Sequence, residues 1–296
     1  MTTGSMESSS KIAALASQLE ERLQAGRMTL PVMPEVALRV QQAASQRGVG
    51  ARQLAQIVET SPGLTARLLR MTNSAMFQGM TEITDLSHAI GRLGTTMVVA
   101  VALGAAAKET FRSEDPAAVE RLKRSWRASI HASAASRHLA PRWGLVSDEA
   151  FVGSLLHAVG EPVLCQQIEQ LVKGGAIDRP SAEELADLLD QMRPAAGAHL
   201  LSSWGLPRCL TAAVQYHENP GLAPADCRIN ATVTSLAAHF GRRRVIDGHA
   251  PETIAEELGS ADAVIAAGLD PLTLEPMLEQ AGHDGDELDA VFARAG

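Results

Sequence analysis

Apolar residues recur at helical spacing through most of this chain. Nowhere do they alternate strictly with polar ones as an amphipathic strand requires. Ile12, Leu15, Leu19 and Leu23 step by three and four before Gly26. Comparable patterns predict helices over 51–59, 62–73, 85–93, 95–110, 116–140, 147–159, 182–192, 194–204, 207–218 and 224–240. Alanine dominates the apolar set and aromatics are only 3%, which favours closely packed helices over strands rich in valine, isoleucine and tyrosine. The fold class expected is all-α.

Punctuation residues divide the pattern. Ser8 to Ser10 are candidate caps for the first helix, which is expected to stand apart from the core. Pro31 and Pro34 frame an extended entry, with Pro34 placed as the first residue of a helix that ends near Gly48 and Gly50. Gly160 to Pro162 reads as a break before a run to Lys173, and Pro194 as a helix start. A charged turn over 113–116 suggests a boundary, giving segments 1–27, 28–112, 113–244 and 245–296. The last is acidic: twelve Asp or Glu and one Arg give −11 against −8 for the chain, leaving +3 on residues 1–244. Its apolar residues, Ile254, Leu258, Val264, Ile265, Leu269, Leu272, Leu274, Leu278, Leu288 and Val291, come in helical clusters, so it is expected to fold onto the body.

Several function classes find no support. No apolar run approaches the roughly 18 residues of a membrane span, and Met1 to Ser10 lacks a signal-peptide core, so a cytoplasmic protein is expected. Cys165, Cys209 and Cys227 have no CxxC spacing. They read as buried thiols, without a disulfide framework or a thiolate zinc site. Arg242 to Arg244 reads as a solvated helix end. Trp126, Trp143 and Trp204 read as core or interface anchors, and Met71, Met76 and Met80 as core. Residues 51–74 mimic a helix-turn-helix whose second helix offers Arg67 and Arg70. Its leucines leave few side chains for base edges, so nucleic acid is not the expected partner. No nucleophile elbow and no phosphate-binding loop are present.

One resemblance organises the rest. Leu30 to Ala37, Ile57 to Ala75, Ser125 to Ser129, Phe151 to His157, Trp204 to Pro207 and Tyr216 to Pro220 together resemble the HDOD family of bacterial signalling proteins, over roughly residues 28 to 241. The resemblance implies an HD-like helical bundle preceded by a smaller N-terminal helical bundle, related to HD phosphohydrolases. Active HD enzymes hold divalent cations with an early His, a His–Asp pair and a later Asp, and the metal activates a water for attack on a phosphoester. At the matching positions this chain has Ala128, His157 followed by Ala158, and Thr234 or a neighbour, with no carboxylate between Ile229 and Gly241. Only His157 remains.

One neutral imidazole cannot hold a hydrolytic cation. No catalytic residue, metal or cofactor is therefore assigned, and a remnant pocket of His131, His157, His217 and Glu218, with His138 nearby, is expected. The function expected is a non-catalytic regulatory module. Its groove, formed by both bundles, would bind a signalling protein, of two-component or cyclic-dinucleotide pathways, or a small ligand; a homodimer is a separate expectation. The alternatives are a residual metal-dependent phosphohydrolase using His131, His157, His217 and Glu218, and a DNA-binding regulator through 51–74.

Overall fold

A computed structural model describes residues 3–293 except 47 and 78. Among these residues there are helices and turns and no strand. The N-terminal part runs α1 (Thr3–Gln24), α2 (Glu35–Ala44), α3 (Ala51–Val58), α4 (Pro62–Thr72), α5 (Leu86–Leu93) and α6 (Thr95–Thr110). The central part runs α7 (Pro116–Leu139), α8 (Ser147–Leu156), α9 (Gly160–Lys173), α10 (Ala182–Ser203), α11 (Arg208–Tyr216) and α12 (Arg228–Val245). The acidic segment adds α13 (Pro251–Gly259), α14 (Asp262–Ala266) and α15 (Pro271–Ala293).

Local chemistry accounts for several boundaries. The Ser61 hydroxyl accepts from the Leu64 N–H to cap α4, the Asp85 carboxylate does the same for His88 at α5, and Ser181 with Glu184 forms a capping box on α10. α6 is apolar all round (Met97, Val98, Val101, Leu103) and is accordingly buried at the centre.

Five expectations change. α1 begins upstream of the serines expected to cap it, and Leu19 is fully buried in the main core against α10, so this helix does not stand apart. Pro34 precedes its helix as the cap residue. Gly160 opens α9 instead of breaking the chain. A Cβ there would lie 1.9 Å from the Arg193 carbonyl oxygen, so only glycine lets α9 and α10 cross this closely. Pro194 sits inside α10. It removes one backbone donor, but Leu188, Leu189 and Met192 before it and Ala196, Leu200 and Leu201 after it are buried and carry the helix through. Met80 is fully exposed, whereas Met71 is buried as expected.

Two apolar clusters hold the molecule. The larger passes without interruption from the N-terminal helices into α7–α10 and takes in Leu288, Val291 and Phe292 of α15. Trp126 of α7 is its aromatic centre, with the Phe111 ring 5.1 Å away and the Phe292 ring edge-on at 5.6 Å. The smaller joins Ala132, Ala135 and Leu139 of α7 and Val233, Ala237 and Phe240 of α12 to Ile254, Leu258, Val264, Leu274 and Leu278. The acidic segment is thus packed on the body, although Ile265 and Leu272 face outward.

The Cys209 and Cys227 sulfurs are bonded to each other, a correction to the expectation of buried thiols, while Cys165 is free and buried. The chain between them doubles back and brings the first turn of α11 beside the start of α12, a proximity that spacing does not reveal. Among the described residues no single helix is long and apolar enough to cross a membrane.

Candidate functional site

α8 and α11 end alike. His157 is the C-terminal cap of α8 and His217 that of α11. Each imidazole turns back on its own helix, His157 Nδ1 lying 2.7 Å from the Ser154 carbonyl oxygen and His217 Nδ1 2.7 Å from that of Val214. A carbonyl can only accept, so Nδ1 carries the proton in both rings. In the neutral form Nε2 then holds a lone pair. Burial pushes the His157 pKa down to about 3, helped by the charges of His217 and Arg193. Burial likewise pushes His217 down to about 4. Both are neutral near pH 7, with ring centres 5.2 Å apart edge to face.

An ion-pair network lies beside them. Glu161, in the first turn of α9, is almost fully buried. Its Oε1 accepts from Arg121 Nη2 of α7 at 3.2 Å and from Arg193 Nη1 of α10 at 3.1 Å. Arg193 also donates to Glu218 Oε1 through Nε at 2.9 Å and Nη2 at 2.6 Å, and Arg121 to Asp190 at 2.6 Å. Such pairs are costly to desolvate, and their mutual hydrogen bonds offset part of that cost. Among the described residues, Glu161 Oε2, His217 Nε2, Ser154 Oγ and Arg121 Nε are buried here without a hydrogen-bond partner, His217 Nε2 lying 3.9 Å from Glu218.

These groups line a cavity of about 660 Å³ between α7, α9, α10, α11 and α12, with Arg124 and Arg242 also on its walls. Arg242 is nonetheless exposed, in keeping with the expected solvated helix end. Arg243, beside it, is committed to Glu257 and Asp247. Of the expected remnant pocket, His157, His217 and Glu218 are brought together and His131 is not. Three residues after Ala128 the helix has turned about 300°, which takes His131 from the cavity wall to a buried place under α15. There its Nε2 is 3.6 Å from Asp286 and Gly285 lies against the ring. His138 meets Asp284 at 2.8 Å on the same side.

The donor set does not fit a hydrolytic cation. Ala128 lines the cavity with no lone pair to offer. On α12 the cavity-facing positions are Ser235, Ala238, His239 and Arg242, with His239 Nε2 already 3.0 Å from a Glu257 oxygen, while Thr234, one residue before Ser235 and 100° round the helix, packs its hydroxyl against Gly153. Oxygens of Glu161 and Glu218 are engaged by arginines. Among the described residues, the one group of three His, Cys, Asp or Glu side chains with ligand atoms all within 4.8 Å of one another is Cys209, Asp226 and Cys227, outside this cavity. A second, more apolar cleft of about 370 Å³ lies where α2 and α6 meet α8 and α11, lined by Gln41, Thr95, Leu210 and Thr234 among others.

Residues 51–74 do form two helices joined by a turn, but Arg67 is buried and Arg70 donates to the Val291 carbonyl at 3.2 Å, because α15 packs across α4. Glu161, Arg121, Arg193 and Asp190 had no place in the sequence reading. The one available signal was a carboxylate, Glu161, inside the apolar run that follows His157.

The family described as the HDOD domain matches residues 30–220. An uncharacterized protein of Treponema pallidum (strain Nichols) is 24% identical over 254 residues. The match takes in 83% of this chain, which spans about half (47%) of that relative's length. Among solved structures, a protein of Shewanella amazonensis SB2B whose name proposes a metal-dependent phosphohydrolase is similar with a TM-score of 0.78 at 22% identity, over 96% of this chain and 99% of its own. An HDOD domain protein of unknown function from Geobacter sulfurreducens is similar with a TM-score of 0.68 at 20% identity, over 96% and 98%. At these identities what is shared is the fold, an all-helical HD-like bundle.

Proposed function

Because the chain belongs to the HDOD domain family, we propose that it is a signal-transduction module without catalysis of its own, whose cavity beside His157 takes a small polar ligand and passes its occupancy to a partner protein. The observation that carries this reading is a cavity walled by the ion-paired Arg121 and Arg193, against which Glu161 Oε2 and His217 Nε2 are buried with no hydrogen-bond partner among the described residues. Buried polar groups of this kind are normally satisfied. An occupant with amino, amide or hydroxyl donors facing Glu161 and His217, whose unpartnered atoms are closed off until the side chains over them move, and with an anionic group turned toward Arg124 and Arg242 would satisfy both ends.

Such an occupant also has a way to be felt. Glu161 and Glu218 share Arg193, and Arg121 joins Glu161 to Asp190. A ligand that competes for any one of these groups shifts the balance between α7, α9, α10 and α11. We place the partners among proteins of two-component or cyclic-dinucleotide signalling, or in a second copy of the chain, and the setting in the cytoplasm. No cofactor enters this reading.

The test is calorimetry and thermal unfolding of the purified chain against nucleotides, cyclic dinucleotides and small polar metabolites. A ligand that binds the wild type and loses at least about tenfold in affinity with His217→Ala or Glu161→Gln, worth about 1.4 kcal/mol, supports the reading. Stoichiometric metal together with manganese-dependent phosphoester hydrolysis abolished by His157→Ala would replace it with the residual hydrolase. Salt-dependent DNA binding lost in Arg67→Ala would revive the nucleic-acid reading, against which the burial of Arg67 now stands.

A further inference from the structure

The three cysteines sit in unlike surroundings. Cys165 is buried in the main core, and burial pushes its thiol pKa up to about 12, which makes it inert. Cys209, in the first turn of α11, is half-buried and reaches the wall of the second cleft. Cys227 is fully buried at the start of α12, an 18-residue helix whose unpaired N–H groups and dipole favour a thiolate there. The Cα atoms of Cys209 and Cys227 are 4.8 Å apart and their sulfurs are joined. The bond closes into a loop the segment that carries His217 and Glu218 to the cavity.

We propose that Cys209 and Cys227 form a reversible dithiol–disulfide site for a low-molecular-weight thiol of the glutathione class, and that its state sets how firmly the 209–227 loop holds His217 and Glu218. The asymmetry of the pair directs the exchange. An external thiolate attacks the accessible Cys209 sulfur and forms a mixed disulfide, and the Cys209–Cys227 bond breaks with Cys227 leaving as the thiolate its helix end stabilises. A second external thiolate attacks the external sulfur of the mixed disulfide, releasing Cys209 as a thiolate and the two external thiols as their disulfide. Two electrons pass to the protein sulfurs, which take up protons from solvent, and oxidation reverses the sequence.

The proposal rests on the cytoplasmic setting only in expecting reversibility, since disulfides formed in that compartment are characteristically transient and redox-responsive. It does not depend on the cavity having a ligand. In the reduced state Cys209, Asp226 and Cys227 become three potential ligands for a thiophilic divalent ion, an outcome that the experiment separates.

The full chain is equilibrated in buffers running from reduced to oxidised glutathione, quenched in acid, alkylated under denaturing conditions and weighed. Of the three cysteines, all three should be alkylated at the reducing end and one at the oxidising end. Hydrogen exchange across 214–222 should be faster in the reduced form by on the order of tenfold. Cys209→Ser, at the accessible position, should show that faster exchange in every buffer. Three alkylated cysteines throughout, or one throughout even in excess thiol, would overturn the exchange. Equal protection in both redox states, or a Cys209→Ser variant as protected as the oxidised chain, would overturn its link to the loop. One zinc per chain retained by the reduced protein after gel filtration, and lost in Cys209→Ser, would make the cluster a metal site instead.

Discussion

The two sides of α7 treat their histidines in opposite ways. Toward α11 and α12, His157 and His217 satisfy Nδ1 on backbone carbonyls, and His217 leaves Nε2 without a partner beside a cavity. Toward α15, the chain supplies its own carboxylates: Asp284 meets His138, and Asp286 lies near the buried His131. The acidic helix has filled one side of α7 from within. The other side keeps a charged, arginine-rich hollow that none of the described residues fills, and a region where burial of charge is tolerated without a filling segment is the better candidate for an external occupant.

Four measurements would break or sharpen that contrast. The largest effect is expected on the filled side, where Phe292→Ala removes a fully buried ring from the edge of Trp126. It should cost about 3–5 kcal/mol in urea unfolding, while ligand binding at the cavity keeps its affinity. Loss of both together would mean that the two sides are not separate units.

The next effect belongs to the cavity. His157 and His217 have folded pKa values near 3 and 4, below about 6.5 in the unfolded chain. Between these limits the unfolded state binds more protons, so stability must fall as pH drops below about 6.5 and be flat above it. The loss should reach roughly 2 kcal/mol per histidine between pH 7 and pH 5. His157→Asn should remove its share; unfolding curves at pH 5 and 7 that differ as much in the variant as in the wild type would show these rings to be solvated. His131, whose pKa burial also lowers, adds in the same direction.

Smaller still, Gly285→Ala would place a methyl against the His131 ring, where Nδ1 lies 2.4 Å from a built Cβ. A cost of about 1–3 kcal/mol follows from overpacking, and a neutral result would show that α15 can shift. Smallest is Arg127→Ala, which opens the half-exposed pair with Asp289. It should change stability by no more than about 1 kcal/mol, and a larger loss would mean that α15 is held by charge more than by packing.

Much of the architecture was legible from periodicity. The expected helix over 95–110 is the observed α6, and the ends of α3, α4 and α5 differ by a residue at most. What escaped depends on partners far apart in the chain. Glu161 and Arg193 are separated by 32 residues, a distance with no periodic signature, and Pro194 looks like a helix start because its neighbours' burial cannot be seen locally. The disulfide was missed for the same reason. Register is the finest distinction: at one residue's difference Thr234 and Ser235 point to different sides of α12, and the residue pattern alone does not choose between them. His157 was found because the chemistry around it, a histidine without its carboxylate, is strictly local.

One feature of the larger core bears on how the protein is made. Leu19, Trp126 and Phe292 belong to the same apolar cluster, and Lys108 of α6 donates to the Phe292 carbonyl while Arg70 of α4 donates to that of Val291. Helices early in the sequence are therefore completed by residues synthesised much later. At roughly 5–20 residues per second, the ribosome delivers Phe292 on the order of ten seconds after Trp126. Through that interval the nascent chain presents an unfinished aromatic surface, and it is there that a chaperone would find its hold.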